Sequence, residues 1–182
     1  MDSGIGFEAL IEFTNLERAE WLDWFRAAPI AATSAHGGAS RLALSTGPHN
    51  NGRIRTVGEL ALHIFVAEKH HVDRLARRPL TDPPPGAATN VETLFDFGLH
   101  SRRALNAYIS SEPAIDWDAA LEFEIFPGRR VSVTPRKFVA HILLHEIRHW
   151  AQIGTMVRIA GTPGPCPDLL FSPAMGGGPI DA

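Results

Sequence analysis

Nine histidines occur in this chain, and three of them, His141, His145 and His149, follow one another at steps of four. In a helix a step of four rotates by only about 40°, so neighbouring members of the series share a face. His145 and His149 fall on the side that carries Phe138, Ile142, Ile153 and Met156 and so point toward a core, whereas His141 lies further round toward an edge. An imidazole on a buried face costs roughly 1–3 kcal/mol unless something satisfies it. A backbone carbonyl or a neighbouring side chain could do so. Two rings one turn apart can instead hold one ion, and divalent metals of the zinc and nickel type accept neutral imidazole readily.

The string His145-Glu-Ile-Arg-His149 also matches H-E-x-x-H, the zinc-peptidase helix in which Glu146 would be the general base. The context for that chemistry is poor. No His or Glu follows His149, and Asp168, in a Pro-rich tail, is the only plausible downstream carboxylate. A third ligand is better sought upstream, where His63 lies at the flank of another apolar stripe, one turn after Glu59. His70 and His71 are rivals for that role, or else the solvated end of the same helix.

Four helices are expected to position these residues. Phe7 to Phe25 carries Leu10, Phe13, Leu16, Trp21 and Trp24 at helical steps without Gly or Pro. Residues 28–55 lose all periodicity and read as a long connection that either covers the domain or is partly mobile. Thr56-Val-Gly-Glu59 is a capping box opening a second helix that should run to about Arg77, ahead of Pro79. A Pro-rich linker, 81–89, precedes a third helix over about 90–110. The alternation of Leu121 to Val133 around Pro127-Gly128 predicts a hairpin. Thr134-Pro135 then supplies an N-cap and an N1 proline for a fourth helix running to about Ala160. The expected class is all-α, a four-helix bundle with a small β-hairpin before the last helix. Residues 1–162 form its domain, and 163–182 a Pro/Gly-rich tail. Trp21, Trp24 and Trp150 either line a pocket near the histidines or pack in the core.

The totals exclude several classes. The chain has 182 residues, 45% of them hydrophobic and 20% charged, with a formal charge of −3, which suits one soluble domain without a nucleic-acid-binding basic face. The local runs Arg74 to Arg78 and Arg102-Arg103 read as solvated helix faces. Cys166 is the single cysteine, so no intrachain disulfide can form, and a reducing compartment fits. No segment reads as a signal peptide or a membrane span, and a cytoplasmic location with no membrane partner is expected. Gly176-Gly-Gly178 has neither the preceding strand nor the following helix of a nucleotide loop.

Val57-Gly-Glu-Leu-Ala-Leu-His63, followed far downstream by His141-Ile-Leu-Leu-His145-Glu-Ile-Arg-His149-Trp-Ala-Gln152, resembles the DinB/YfiT-like metalloenzymes. The hairpin before the last helix and Pro167-Asp168 after it also resemble that family. The resemblance implies an up-down-down-up bundle, a homodimer and a metal site whose ligands are His63, His145 and His149. It makes His141 a pocket residue, together with Glu59, Trp150 and Gln152 around the site, and removes Glu146 from any peptidase role. Trp150-Ala151 stands where the family often has Arg-Gly, and the long loop after the first helix is expanded. Three neutral ligands leave a coordination position for water or a small thiol. The expected function is therefore a metal-dependent enzyme, a thiol-dependent S-transferase or a hydrolase, using zinc or nickel, a low-molecular-weight thiol and a small-molecule substrate. The alternatives are a stress-related bundle whose metal only stabilises the fold, and the H-E-x-x-H peptidase.

Overall fold

The computed structural model describes residues 6–27, 40–49, 52–111 and 114–176. Four helices dominate it: α1 (Phe7–Arg26), α2 (Val57–Leu75), α3 (Val91–Ile109) and α4 (Pro135–Ile159). Their starts follow local chemistry. Thr56 accepts from the Glu59 amide at 3.2 Å while the Glu59 carboxylate accepts from the Thr56 amide at 3.1 Å, closing the expected capping box. Asn90 caps α3 through the Thr93 amide, and Thr134 caps α4 with Pro135 in its first turn. α2 stops at Leu75, two residues short of the expected end, and the chain turns through Arg77 at φ 54°.

Side-chain contacts fix the directions. Phe65 meets Gly98 and Glu68 meets Arg102, so α2 and α3 run parallel. Arg18 meets Glu146 and Trp21 meets Trp150, so α1 and α4 run parallel too. His71 touches Phe138 and His63 touches His149, which sets α2 antiparallel to α4. Arg102 meets Thr14 and Arg26 meets Glu92, which sets α1 antiparallel to α3. The bundle is up-down-down-up.

The hairpin before α4 forms as expected from β3 (Leu121–Phe126) and β4 (Arg129–Val133), with Phe123 packed on Phe138. A second hairpin was not legible. Within the stretch read as a connection, β1 (Ser45–His49) pairs with β2 (Ile54–Thr56), and Leu42, Leu44 and Ile54 are buried. These strands are short and irregular in register, so they leave no alternation to detect, although Asn51-Gly52 is a turn signal. Residues 28–39 of that stretch lie outside the described part. Beyond α4 the chain wraps back on α1: the Trp24 indole donates to the Pro163 carbonyl at 3.1 Å, and Gly164 lies against Trp21.

Two apolar clusters fill the bundle, one around Trp21, Phe65 and Trp150 and one around Leu105, Phe138 and Leu143. Of the buried charged residues, four, one from each helix, meet in the interior: Arg18, Glu68, Arg102 and Glu146. Arg18 donates to Glu146 at 2.5 and 2.8 Å, to Glu68 at 2.8 Å and to the Gly98 carbonyl at 3.0 Å. Arg102 donates to Glu146 at 2.6 Å, to Glu68 at 3.0 Å, and through its other arm to Thr14 and Asn15. Arg102 is thus not on a solvated face, as its neighbour Arg103 is; it is 3% exposed. Burial alone would raise the Glu146 carboxyl, but the charges of Arg18 and Arg102, then bonds from Arg18 and Trp150, hold it below its ordinary value.

Glu17 stands beside this quartet without sharing in it, and its Oε2 is buried with no hydrogen-bond partner. Burial, then the negative charges of Glu146 and Glu20, push its carboxyl up to about 8. The folded state therefore binds a proton that the unfolded chain releases near its ordinary value of 4.5, and stability falls as pH rises between those values. Glu17→Gln is expected to raise the melting temperature, with an advantage that widens from pH 5 to pH 8 by up to about 1.4 kcal/mol per pH unit. An advantage that is flat across that range would mean the carboxyl is already ionised. Gly58 offers a packing test. A Cβ there would lie 2.0 Å from the Ala88 carbonyl oxygen, so Gly58→Ala should cost about 1–3 kcal/mol in chemical denaturation.

Candidate metal centre

α2 and α4 lie side by side, and the groove between them, closed at one flank by β3 and β4, forms a cleft of about 930 Å³. Six histidines line it: His63, His70, His71, His141, His145 and His149. Three converge. His63 is 5.0 Å by ring centroid from both His145 and His149, which are 4.3 Å from each other. One nitrogen from each ring can be chosen so that all three lie within 4.8 Å of one another. His145 Nε2 lies 3.0 Å from His149 Nε2. Ligands about 2.0–2.1 Å from a zinc ion sit at comparable mutual distances, so the donor set fits a divalent metal.

The sequence logic of that convergence is simple. His145 and His149 occupy successive turns of α4, and the antiparallel run of α2 brings His63 to the same level. Gln152, the next turn along α4, accepts a bond from His149 Nδ1 at 2.6 Å. That bond fixes the ring and leaves Nε2 facing the other two rings, the usual service of a carbonyl-type partner behind a metal-binding histidine. Burial, then the neighbouring His149 and His63 rings, drives the His145 pKa down to about 2. A neutral ring is the form a metal needs.

The other expected site residues fall in different places. His141 is on the cleft wall one turn from His145, with ring centroids 5.6 Å apart, and burial, then Arg148, lowers its pKa. Glu59 is engaged in the capping box, outside the cleft lining. Trp150 is core: it stacks on Trp21 at 5.3 Å, is 1% exposed, and donates to Glu146 at 3.2 Å. Trp21 is core as well, and Trp24 packs beside it. His70 bonds to the Thr81 carbonyl at 3.1 Å. His71 packs on Phe138 and His141, and burial, then His141, pushes its pKa down to about 3. Neither joins the three-ring cluster.

The peptidase reading fails on geometry. Glu146 points into the charge quartet and not toward the cleft, and Asp168 caps the turn Leu169–Phe171 through the Leu170 amide. The H-E-x-x-H spacing arises because adjacent residues of α4, about 100° apart round the helix, face different neighbours. What sequence reasoning missed around the site is its cationic lining, Arg74, Lys137 and Arg148.

The family comparison agrees with this geometry. The DinB family model matches residues 48–177, well over half of the chain, from the β1–β2 hairpin through α4 and the wrap that follows it. The protein belongs to the DinB family. No curated protein matches the chain. No helix among the described residues is long and apolar enough to cross a membrane.

The two neighbours Glu146 and His145 should separate cleanly by mutation. Glu146→Gln leaves Arg18 and Arg102 to share one carboxylate, and a loss of about 3–5 kcal/mol is expected in chemical denaturation. His145→Ala, at the cleft wall, should leave the stability of the metal-free protein within about 1 kcal/mol of wild type. Equal losses in both would contradict this division of labour.

Proposed function

We propose that this protein is a metal-dependent enzyme in which His63, His145 and His149 hold one divalent ion, zinc or nickel, at the wall of an open cleft. The observation that carries the reading is the convergence of three imidazoles on the cleft rather than inside the core. A structural metal is normally closed in by four protein ligands, whereas a catalytic one keeps a position for water or substrate. Such an ion supplies Lewis acidity, lowering the pKa of a bound water or small thiol into the neutral range.

The chain's own residues divide the remaining work. Gln152 holds the His149 ring in the tautomer that turns Nε2 to the cluster. His141 stands beside the cluster on the same wall, where a neutral imidazole can accept a proton released from the nucleophile. Phe138, Val133 and Ile125 give the cleft an apolar stretch for the body of a small molecule. Transfer of a low-molecular-weight thiol to an electrophilic carbon uses all of these parts, and hydrolysis uses the same centre with water as nucleophile.

Elemental analysis of tag-free protein should find close to one zinc or nickel ion per chain, with most of it lost in each of His63→Ala, His145→Ala and His149→Ala. Loaded protein should then turn over an electrophilic substrate in the presence of a small thiol, and His145→Ala should not. Wild type that neither retains metal nor binds zinc or nickel on titration would refute the metal site. Loaded protein that is inactive with a broad panel of thiols and with water would refute the enzyme reading.

A further inference from the structure

The cleft extends well beyond the three-histidine cluster, and its far end is chemically different. Because α2 and α4 run antiparallel, Arg74 near the end of α2 and Lys137 near the start of α4 line the same end of it. About three helical turns separate that end from His63 and His149, roughly 16–18 Å along either backbone. Phe138, Val133 and Ile125 make the apolar wall of that same end, and Val66, Ala67, His71 and His141 line the cleft between it and the cluster.

No carboxylate lines this cleft among the described residues. The alternation of β3 explains part of that. Leu121, Phe123 and Ile125 pack toward α4, while Glu122 bonds Arg130 and Glu124 accepts from the Gly128 amide on the other face. Asp73, next to Arg74, is engaged by Lys69 and by the Thr81 amide. Among the described residues, neither Arg74 nor Lys137 has a carboxylate within ion-pair distance. The nearest acceptor of Arg74 is the Ile125 carbonyl, at a long 3.5 Å. Arg74 is half-buried, and burial lowers its pKa against the opposing pull of Asp73. A partly desolvated guanidinium with no carboxylate paired directly to it favours an anion far more than a fully hydrated one does.

We propose that the cleft binds an elongated anionic small molecule, with a carboxylate or phosphate head between Arg74 and Lys137, an apolar body that packs on Phe138 beside that head and runs along Val66 and Ala67, and its other end at the three histidines. The assignment of this molecule as substrate rests on the metal-dependent reading above; the anion-binding end stands on its own residues. Arg148, beside His149 at the opposite end, extends the positive potential along the whole cleft.

The test is calorimetric titration of the full chain with octanoate and octyl phosphate against 1-octanol and octylamine, with zinc absent and then added. Zinc-free protein is included because a carboxylate could otherwise bind the metal itself. Either anion is expected to bind at least about tenfold more tightly than the alcohol or the amine, weakening as salt is raised. Arg74→Gln/Lys137→Gln should erase most of that preference, while Arg103→Gln, which removes an exposed cation outside the cleft, leaves it within about twofold. Should the double variant fail to fold, the exposed Lys137→Gln alone and the salt dependence decide. Octanol binding as well as octanoate, or an anion preference untouched by these variants, overturns the proposal. Anion binding by a protein that takes up no metal would sustain this cleft and refute the metal centre. Metal uptake without anion preference would do the reverse.

Discussion

Two guanidinium groups and two carboxylates, one from each helix, meet in the interior of this bundle, and the rest of the structure is arranged around them. Bringing four charges out of water costs several kcal/mol per ion, and the cost is offset only where almost every donor and lone pair finds a partner. Here Arg18 and Arg102 each bridge both glutamates, Arg18 also meets a backbone carbonyl, and Trp150 takes up Glu146 Oε1. Apolar side chains tolerate a helix rotated by some tens of degrees; this network does not. Pinning Glu146 to the centre sets the rotation of α4. His145, one residue earlier and about 100° round the helix, is thereby turned into the groove with α2.

The same lock places the partner helix. Glu68 sits just over one turn beyond His63 on α2, and its bonds to Arg18 and Arg102 fix the height of α2 against α4. The convergence of three imidazoles thus follows from contacts on other faces of the same helices. Stability and candidate chemistry are carried by adjacent residues with almost no shared atoms. H-E-x-x-H spacing is therefore a misleading signal in this chain: its two histidines belong to the cleft and its glutamate to the core.

Much of this was legible in the sequence because it rests on local chemistry. Thr56 with Glu59, Asn90, and Thr134 with Pro135 mark helix starts whatever the tertiary surroundings, and the alternation of Leu121 to Val133 needs only one covered face. His145 and His149 declared themselves by spacing, and His63 by its place on an apolar flank. The quartet did not. Arg18, Glu68 and Arg102 look like ordinary surface charges, and only the pairing of residues 128, 50 and 34 positions apart makes them interior. A signal was present: each sits on an apolar stripe, with Arg18 between Thr14 and Trp21 and Glu146 between Ile142 and Trp150. One such charge is an anomaly, but a balanced set across four helices is a core network. The β1–β2 hairpin was hidden for a different reason, since strands this short carry no periodicity of their own.

The cleft has an electrostatic consequence of its own. His71 and His145 are driven to the neutral form by burial, and burial lowers His70 and His141 as well. The remaining charged groups on its wall, Arg74, Lys137 and Arg148, are all positive. A divalent ion held there by three neutral imidazoles would keep its full double charge, and among the described residues no carboxylate of the wall would reduce it. Such a centre would favour an anionic fourth ligand over a neutral one, because the ion's own uncompensated positive field attracts negative charge. The cations along the cleft act in the same direction at longer range. On the proposed reading, an ion at the histidine cluster and the cationic lining would therefore both favour negative charge, one at the point where a bond would be made and the other along the body of the molecule that makes it.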